Sequence, residues 1–229
     1  MLELSLVQKI SIWVVPVLLG ITVHEVMHGF VARKLGDNTA FMLGRLTLNP
    51  LKHVDPVGTI LIPGLLVLLQ AGFLFGYAKP VPINWRNLHH PKRDMALVAA
   101  AGPISNLFMA IAWALLVRLG VLLGESGMPL IYMGVAGITI NIILMVLNLL
   151  PLPPLDGGRV MTGLLPGPWA YQFSRIEPYG FFILIGLLVT GILGLVLWPV
   201  ISAVMSMVVP VSGLSAQKFQ ILLMALMGR

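Results

Sequence analysis

The chain contains no cysteine. That excludes disulfides, cysteine-ligated zinc and a thiol nucleophile, and it leaves the compartment unreadable from redox chemistry. Charge is scarce too: 10% of the 229 residues are charged, against 58% hydrophobic. With a mean hydropathy of +0.98, this composition excludes an ordinary soluble domain and indicates a polytopic membrane protein. Internal repeats and low-complexity tracts are not evident, which argues against a solenoid or a long linker. Met1 to Ile10 lacks a basic leading region and a small-residue cleavage site, so a removable signal peptide is not expected. The net charge of +6 does not point to nucleic acid. Most basic residues sit in short loops between apolar runs, where they orient a protein in the bilayer.

What is present organises itself around Val23-His24-Glu25-Val26-Met27-His28-Gly29, at the end of a run that is free of charge from Ile10 to Val23. Residues four apart share a helix face. Two imidazoles so placed can hold one Zn²⁺, and Glu25 can serve as the base toward an activated water. The competing reading is a chance H-E-x-x-H with satisfied core histidines. Its setting favours function, because a Glu and two His are costly to place in lipid.

The first apolar segment runs from about Leu6 to Val31, long enough to span. Gly36 to Gly58 is more polar, with Asn49-Pro50 and Asp55-Pro56 as turns. His53 and Asp55 form an H-x-D pair, which fits a loop or cap role better than a metal site. Residues 59–75 are apolar but broken by Pro63, Gly64, Gln70 and Gly72. Residues 72–84 read as short strands or an extended loop, with Pro80 and Pro82 suggesting an edge. Asp94 to Leu119 is a second span carrying Gly102-Pro103 and Asn106. The Gly-Pro pair implies a kink or a close helix approach. Leu130 to Leu150 is a third, with Asn141 and Asn148, and leads into Pro151-Leu152-Pro153-Pro154-Leu155-Asp156-Gly157-Gly158. Asp156 reads equally as a third metal ligand or as a cap for the next helix. Pro166 to Tyr179 reads as a polar connection and Gly180 to Leu197 as a further span. Pro199 is expected to separate that span from residues 198–229, which form one more span or an interfacial helix.

For the two motifs to meet at one metal, their segments must run in the same direction. One full crossing must then lie between them. The broken 59–75 stretch is the one expected to enter and leave on the same side. That topology puts Arg33, Lys34, Arg45, Lys52, Lys79, Arg86, Lys92, Arg93, Arg159 and Arg175 at one face. Only Lys9 and Arg118 stay at the other, with Lys218 and Arg229 unassigned. The basic face should be cytoplasmic.

His24-Glu25-x-x-His28, Gly102-Pro103-x-x-Asn106 and Asn148-x-x-Pro151-x-x-x-Leu155-Asp156-Gly157 together resemble the site-2 protease family of intramembrane zinc metalloproteases. Gly44-Arg45 to Pro56 and Tyr77-Ala78-Lys79-Pro80-Val81-Pro82 are similar to its compact prokaryotic branch, which lacks PDZ and CBS modules. The resemblance covers roughly residues 12 to 165. It implies one Zn²⁺ per chain on His24, His28 and Asp156, with Glu25 as catalytic base. It also implies a transmembrane protein substrate and a multi-pass location in a prokaryotic cell membrane, with the site open toward the cytoplasm. Asn148 and Asn106 are candidates for binding substrate or the oxyanion, or for plain interhelical hydrogen bonds. The expectation is a single membrane-embedded domain over 1–229, with a catalytic core at about 6–165 and C-terminal helices at about 178–229. Its fold is an all-α bundle of about five to six transmembrane helices with a re-entrant, partly β loop segment. A metal-ion transporter and an inactive substrate-binding scaffold are the rival readings.

Overall fold

The computed structural model describes residues 4–69 and 76–228. Its helices are α1 Leu6–Lys34, α2 Thr39–Met42, α3 Ile62–Leu68, α4 Pro91–Leu122, α5 Met128–Asn148, α6 Asp156–Leu164, α7 Gly167–Ser174, α8 Glu177–Val189, α9 Ile192–Val208 and α10 Ala216–Met227. Four segments are long and apolar enough to cross a membrane: Leu6–Lys34, Pro91–Leu122, Gly124–Asn148 and Ile192–Ser212. α8 and α10 are apolar but shorter. The expected five to six spans are reached only by counting these two with the four.

Local signals set the helix ends. Ser5 and Gln8 form a reciprocal capping box at the start of α1. Arg33 and Lys34 lie in its last turn, where cations favour the carbonyl end of the dipole. The Arg33 guanidinium lies 3.6 Å from the Phe41 ring centre and so seats α2 against α1. Pro91 opens α4, and Asp94 accepts the His90 N–H at 2.8 Å. Between spanning helices, apolar burial supplies little drive, because lipid is apolar as well; close packing takes over. Gly134 and Gly137 of α5 accordingly face Val117 and Trp113 of α4, where a Cβ would collide.

α4 is the central helix. His28 meets Val98 of α4, whereas Gly20 meets Asn106, so α1 and α4 are antiparallel. Asn106 also meets Asn141 of α5, and further along α4 Val117 meets Gly134, so α5 is antiparallel to α4. α1 and α5 therefore run the same way and end together, as the two motifs require. The excursion between them starts in a π-helical stretch, Pro56–Leu61, and continues as α3. Its 56–68 helical run spans no more than about 20 Å, short of a ~30 Å hydrocarbon core. By Tyr77 the chain is back where it left: Tyr77 N–H donates to Gly58 O, and Thr59 Oγ1 donates to Tyr77 O. The two described ends of the excursion thus lie together.

Three features depart from the sequence reading. Among the described residues no β-ladder forms; residues 76–84 follow an irregular path pinned by side chains and loops, as prolines at 80 and 82 remove the N–H groups a ladder needs. Gln70, Gly72 and Phe73 lie outside the described residues. Residues 167–174, within the stretch read as a polar connection, form α7. The break in the C-terminal region falls at Gly191, whose φ of 75° ends the helix; Pro199 lies inside α9. Positive φ suits glycine, while proline is tolerated in apolar spans where neighbours re-satisfy the backbone.

Asp37, fully buried just after α1, gathers the polar loops. It accepts from Thr39 N–H, Asn84 N–H and the Asn87 amide. Burial alone would raise its carboxyl; hydrogen bonds from Thr39, Asn87 and Asn84 outweigh that and hold it below the ordinary value. It ties the segment that follows residues 76–84 to the end of α1.

Candidate metal centre and active site

Helix periodicity places His24 and His28 of α1 side by side, and the α5–α6 turn delivers Asp156 to them. His24 Nε2 and His28 Nε2 stand 3.1 Å apart. Asp156 Oδ2 lies 3.0 Å from the first and 3.2 Å from the second. All three residues are more than nine-tenths buried. The local sequence explains the approach. A Cβ at Gly157 would strike the Leu149 and Leu150 carbonyls, and one at Gly158 would strike the Pro153 backbone. The two glycines let α6 start tightly against the end of α5. On the other side, Gly102 of α4 leaves the space that both imidazoles fill.

Hydrogen bonding fixes what the three ligand atoms offer. Asn106, fully buried, donates through Nδ2 to Gly20 O at 3.2 Å and Asn141 Oδ1 at 2.9 Å. A backbone carbonyl only accepts, so the amide oxygen must face His24 Nδ1, at 2.6 Å. His24 Nδ1 is thus the donor. His28 Nδ1 faces Val98 O at 2.7 Å and must donate as well. Both Nε2 atoms therefore present lone pairs, and they present them to each other and to Asp156 Oδ2, which is buried without a donor. Three acceptors converging on one point need a cation between them. Tetrahedral zinc ligands at ~2.0–2.1 Å stand about 3.3 Å from one another, close to the observed triangle. These three residues fit a zinc ion.

Glu25, half-buried, lines the same cavity of about 420 Å³, with Tyr77, Val81, Asn148, Asp156 and Phe181 among its walls. Its Oε2 accepts the Val81 N–H at 2.8 Å. Asn148 stands at the cavity and donates to Leu144 O within its own helix at 2.9 Å. Asn106 is not among the cavity walls: its amide is engaged by His24, Gly20 and Asn141, behind the imidazole. Of the two roles considered for Asn106, this position matches the interhelical one. His53 and Asp55 are likewise apart from the cluster. His53 Nε2 donates to Thr47 O at 2.9 Å, and Asp55 caps the π-helical stretch through the Val57 and Gly58 N–H groups.

Asn106 orients His24, as groups behind metal-binding histidines commonly do. Asn106→Ala is expected to weaken zinc affinity by about 10–100-fold, measured by competition with a chelator of known affinity. An affinity equal to wild type would show that the His24 ring needs no such partner. Asn141, which completes the chain Asn141–Asn106–His24, had no distinguishing sequence signal beyond being an amide in an apolar span. The Val81 backbone amide had none.

Comparison with known proteins agrees with this chemistry. The chain is 41% identical over 198 residues to "Putative zinc metalloprotease YwhC" of Bacillus subtilis, covering 83% of this chain and 85% of that protein. It is 30% identical over 174 residues to "Putative zinc metalloprotease Rip2" of Mycolicibacterium smegmatis, covering 76% of this chain and 64% of that protein. "Putative zinc metalloprotease MJ0611" of Methanocaldococcus jannaschii is 28% identical over 144 residues, and the chain spans 64% of its length. No family model and no solved structure matches the chain. With an H-E-x-x-H helix, a convergent aspartate and this identity over most of YwhC, the chain belongs to the zinc metalloprotease family of which YwhC carries the name.

Proposed function

We propose that this protein is an intramembrane zinc metalloprotease of the site-2 type, hydrolysing peptide bonds within or next to transmembrane segments of other membrane proteins. One observation carries the reading: three buried metal-ligand atoms and a carboxylate that ligates none of them share one cavity at the joined ends of two spanning-length helices. His24, His28 and Asp156 would hold the zinc. Bound zinc supplies Lewis acidity toward a water and a peptide carbonyl. Glu25 accepts the proton of the attacking water and returns it to the leaving amine. Its Oε2 is held by Val81, which leaves Oε1 for that proton. Asn148, at the cavity wall, is placed to donate to the carbonyl oxygen as charge develops. Metal passage would give Glu25 no such task, which favours hydrolysis over transport.

The substrate must present an unwound segment, since helical peptide bonds are internally bonded. Residues 77, 79 and 81 turn their N–H groups inward, to Gly58 O, His53 O and Glu25. Pro80 and Pro82 have no N–H, so this stretch offers carbonyls rather than further donors. The carbonyls of this stretch that Arg45 and Thr59 do not hold would accept from the N–H groups of an extended substrate. The loops that carry most of the basic residues gather at the cavity end of the helices, whereas Lys9 and Arg118 lie toward the other end. The cavity end is then the cytoplasmic one of a cell membrane.

The test is zinc content and cleavage of a transmembrane model protein by the chain purified in detergent. About one zinc per chain is expected, with cleavage lost on chelation and restored by zinc. Zinc bound without hydrolysis of any membrane substrate would transfer the assignment to a transporter or a scaffold.

A further inference from the structure

Glu25 makes a single hydrogen bond among the described residues, to the Val81 N–H at 2.8 Å. Where that amide sits therefore decides where the carboxylate points. The Val81 side chain is fixed on α1, 5% exposed and seated over Gly29, where a Cβ would lie 2.8 Å from Val81 Cγ1. Gly29 is one turn beyond Glu25, so side chain and amide dock on one helix face. The preceding carbonyl, Pro80 O, belongs to the same planar peptide group as the Val81 N–H. Arg45 Nη2 donates to it at 3.4 Å and to Lys79 O at 3.0 Å. One peptide plane thus has a guanidinium on its oxygen and the Glu25 carboxylate on its hydrogen. Proline at 80 offers no N–H, so a carbonyl is the handle left for holding this turn of chain.

Arg45 is itself anchored. Its N–H donates to Ala40 O at 2.9 Å, and Gly44, at φ 62°, makes the reversal that brings it round. Its Nε is buried, although the residue as a whole is half-exposed. A charged planar donor spanning two carbonyls is stronger and more directional than a neutral one.

We infer that Arg45 is a positioning residue for hydrolysis: by holding the Lys79 and Pro80 carbonyls it keeps the Val81 amide on Glu25 and the base aimed into the cavity. The inference rests on the proteolytic reading above. Arg45→Ala is expected to lower kcat by about a hundredfold, the scale of a small misplacement of a reacting group. Zinc content should be unchanged, because no metal ligand touches Arg45, and KM should rise by less than kcat falls, since the loosened segment also borders the substrate. Arg45→Lys, with one charged donor, should recover part of kcat. Wild-type kcat in Arg45→Ala, or a loss that tracks loss of zinc, would overturn the assignment.

A second readout needs no turnover. The chain has no cysteine, so a nitroxide on Ala78→Cys reports this segment alone. Arg45→Gln should increase its mobility, and an unchanged spectrum overturns the contact. A wild type that cleaves no membrane substrate counts against the protease, and the spectrum then decides the Arg45 contact by itself.

Discussion

Glu25→Gln should retain zinc at the wild-type level and lose about 10³-fold or more in kcat, the scale of general-base catalysis. The glutamine keeps the size of the side chain and can still accept the Val81 N–H that Glu25 Oε2 accepts at 2.8 Å. The cavity and the ligand triangle therefore stay as they are. What disappears is the ability to take a proton from water and return it to an amine. His24 and His28 keep their partners, Asn106 and Val98, so the two imidazoles still present Nε2 lone pairs to a metal. The measurement is zinc stoichiometry alongside single-turnover cleavage of a transmembrane substrate. Full cleavage with zinc bound would exclude Glu25 as the base. Loss of zinc along with cleavage would mean that Glu25 supports the metal instead.

Gly102→Ala should reduce zinc affinity by at least about a hundredfold, the upper range seen when groups that orient metal ligands are disturbed. A Cβ there would lie 2.5 Å from His28 Nε2 and 2.6 Å from His24 Cε1. Both rings are already fixed at Nδ1, by Asn106 on one side and Val98 on the other, so neither can turn away and keep its hydrogen bond. α4 cannot easily withdraw, because it is packed against α1, α5 and α6. In an ordinary helix the same change would stabilise by up to about 1 kcal/mol. A variant that is thermally intact yet poor in zinc would therefore identify a steric effect at the ligands. Wild-type zinc affinity in Gly102→Ala would show that the imidazoles have room to move.

These two residues differ in how plainly the sequence announced them. Glu25 stands between two histidines in an apolar run, and that pattern has few physical explanations. Gly102 was legible only as a kink or a close approach, since nothing in a Gly-Pro pair says which groups come close. Asn106 posed a similar difficulty. An amide in lipid must find a partner, but the choice between substrate and imidazole depends on which way α4 faces. Pro199 misled because proline breaks helices in water; inside an apolar span its neighbours make it tolerable, and Gly191 made the break instead.

The sequence by itself determined the membrane bundle and the helix bearing His24, Glu25 and His28, and made a parallel run of α1 and α5 the condition for the two motifs to meet. Composition, periodicity and the need for two motifs to share one end are enough for those. Only the tertiary structure decided that Asp156 meets the histidines, that Asn106 sits behind His24, and that Val81 holds Glu25 with Arg45 behind it. The physical reason is range. Helix and turn signals act over a few residues, whereas these contacts join groups 35 to 132 positions apart, where packing sets the geometry.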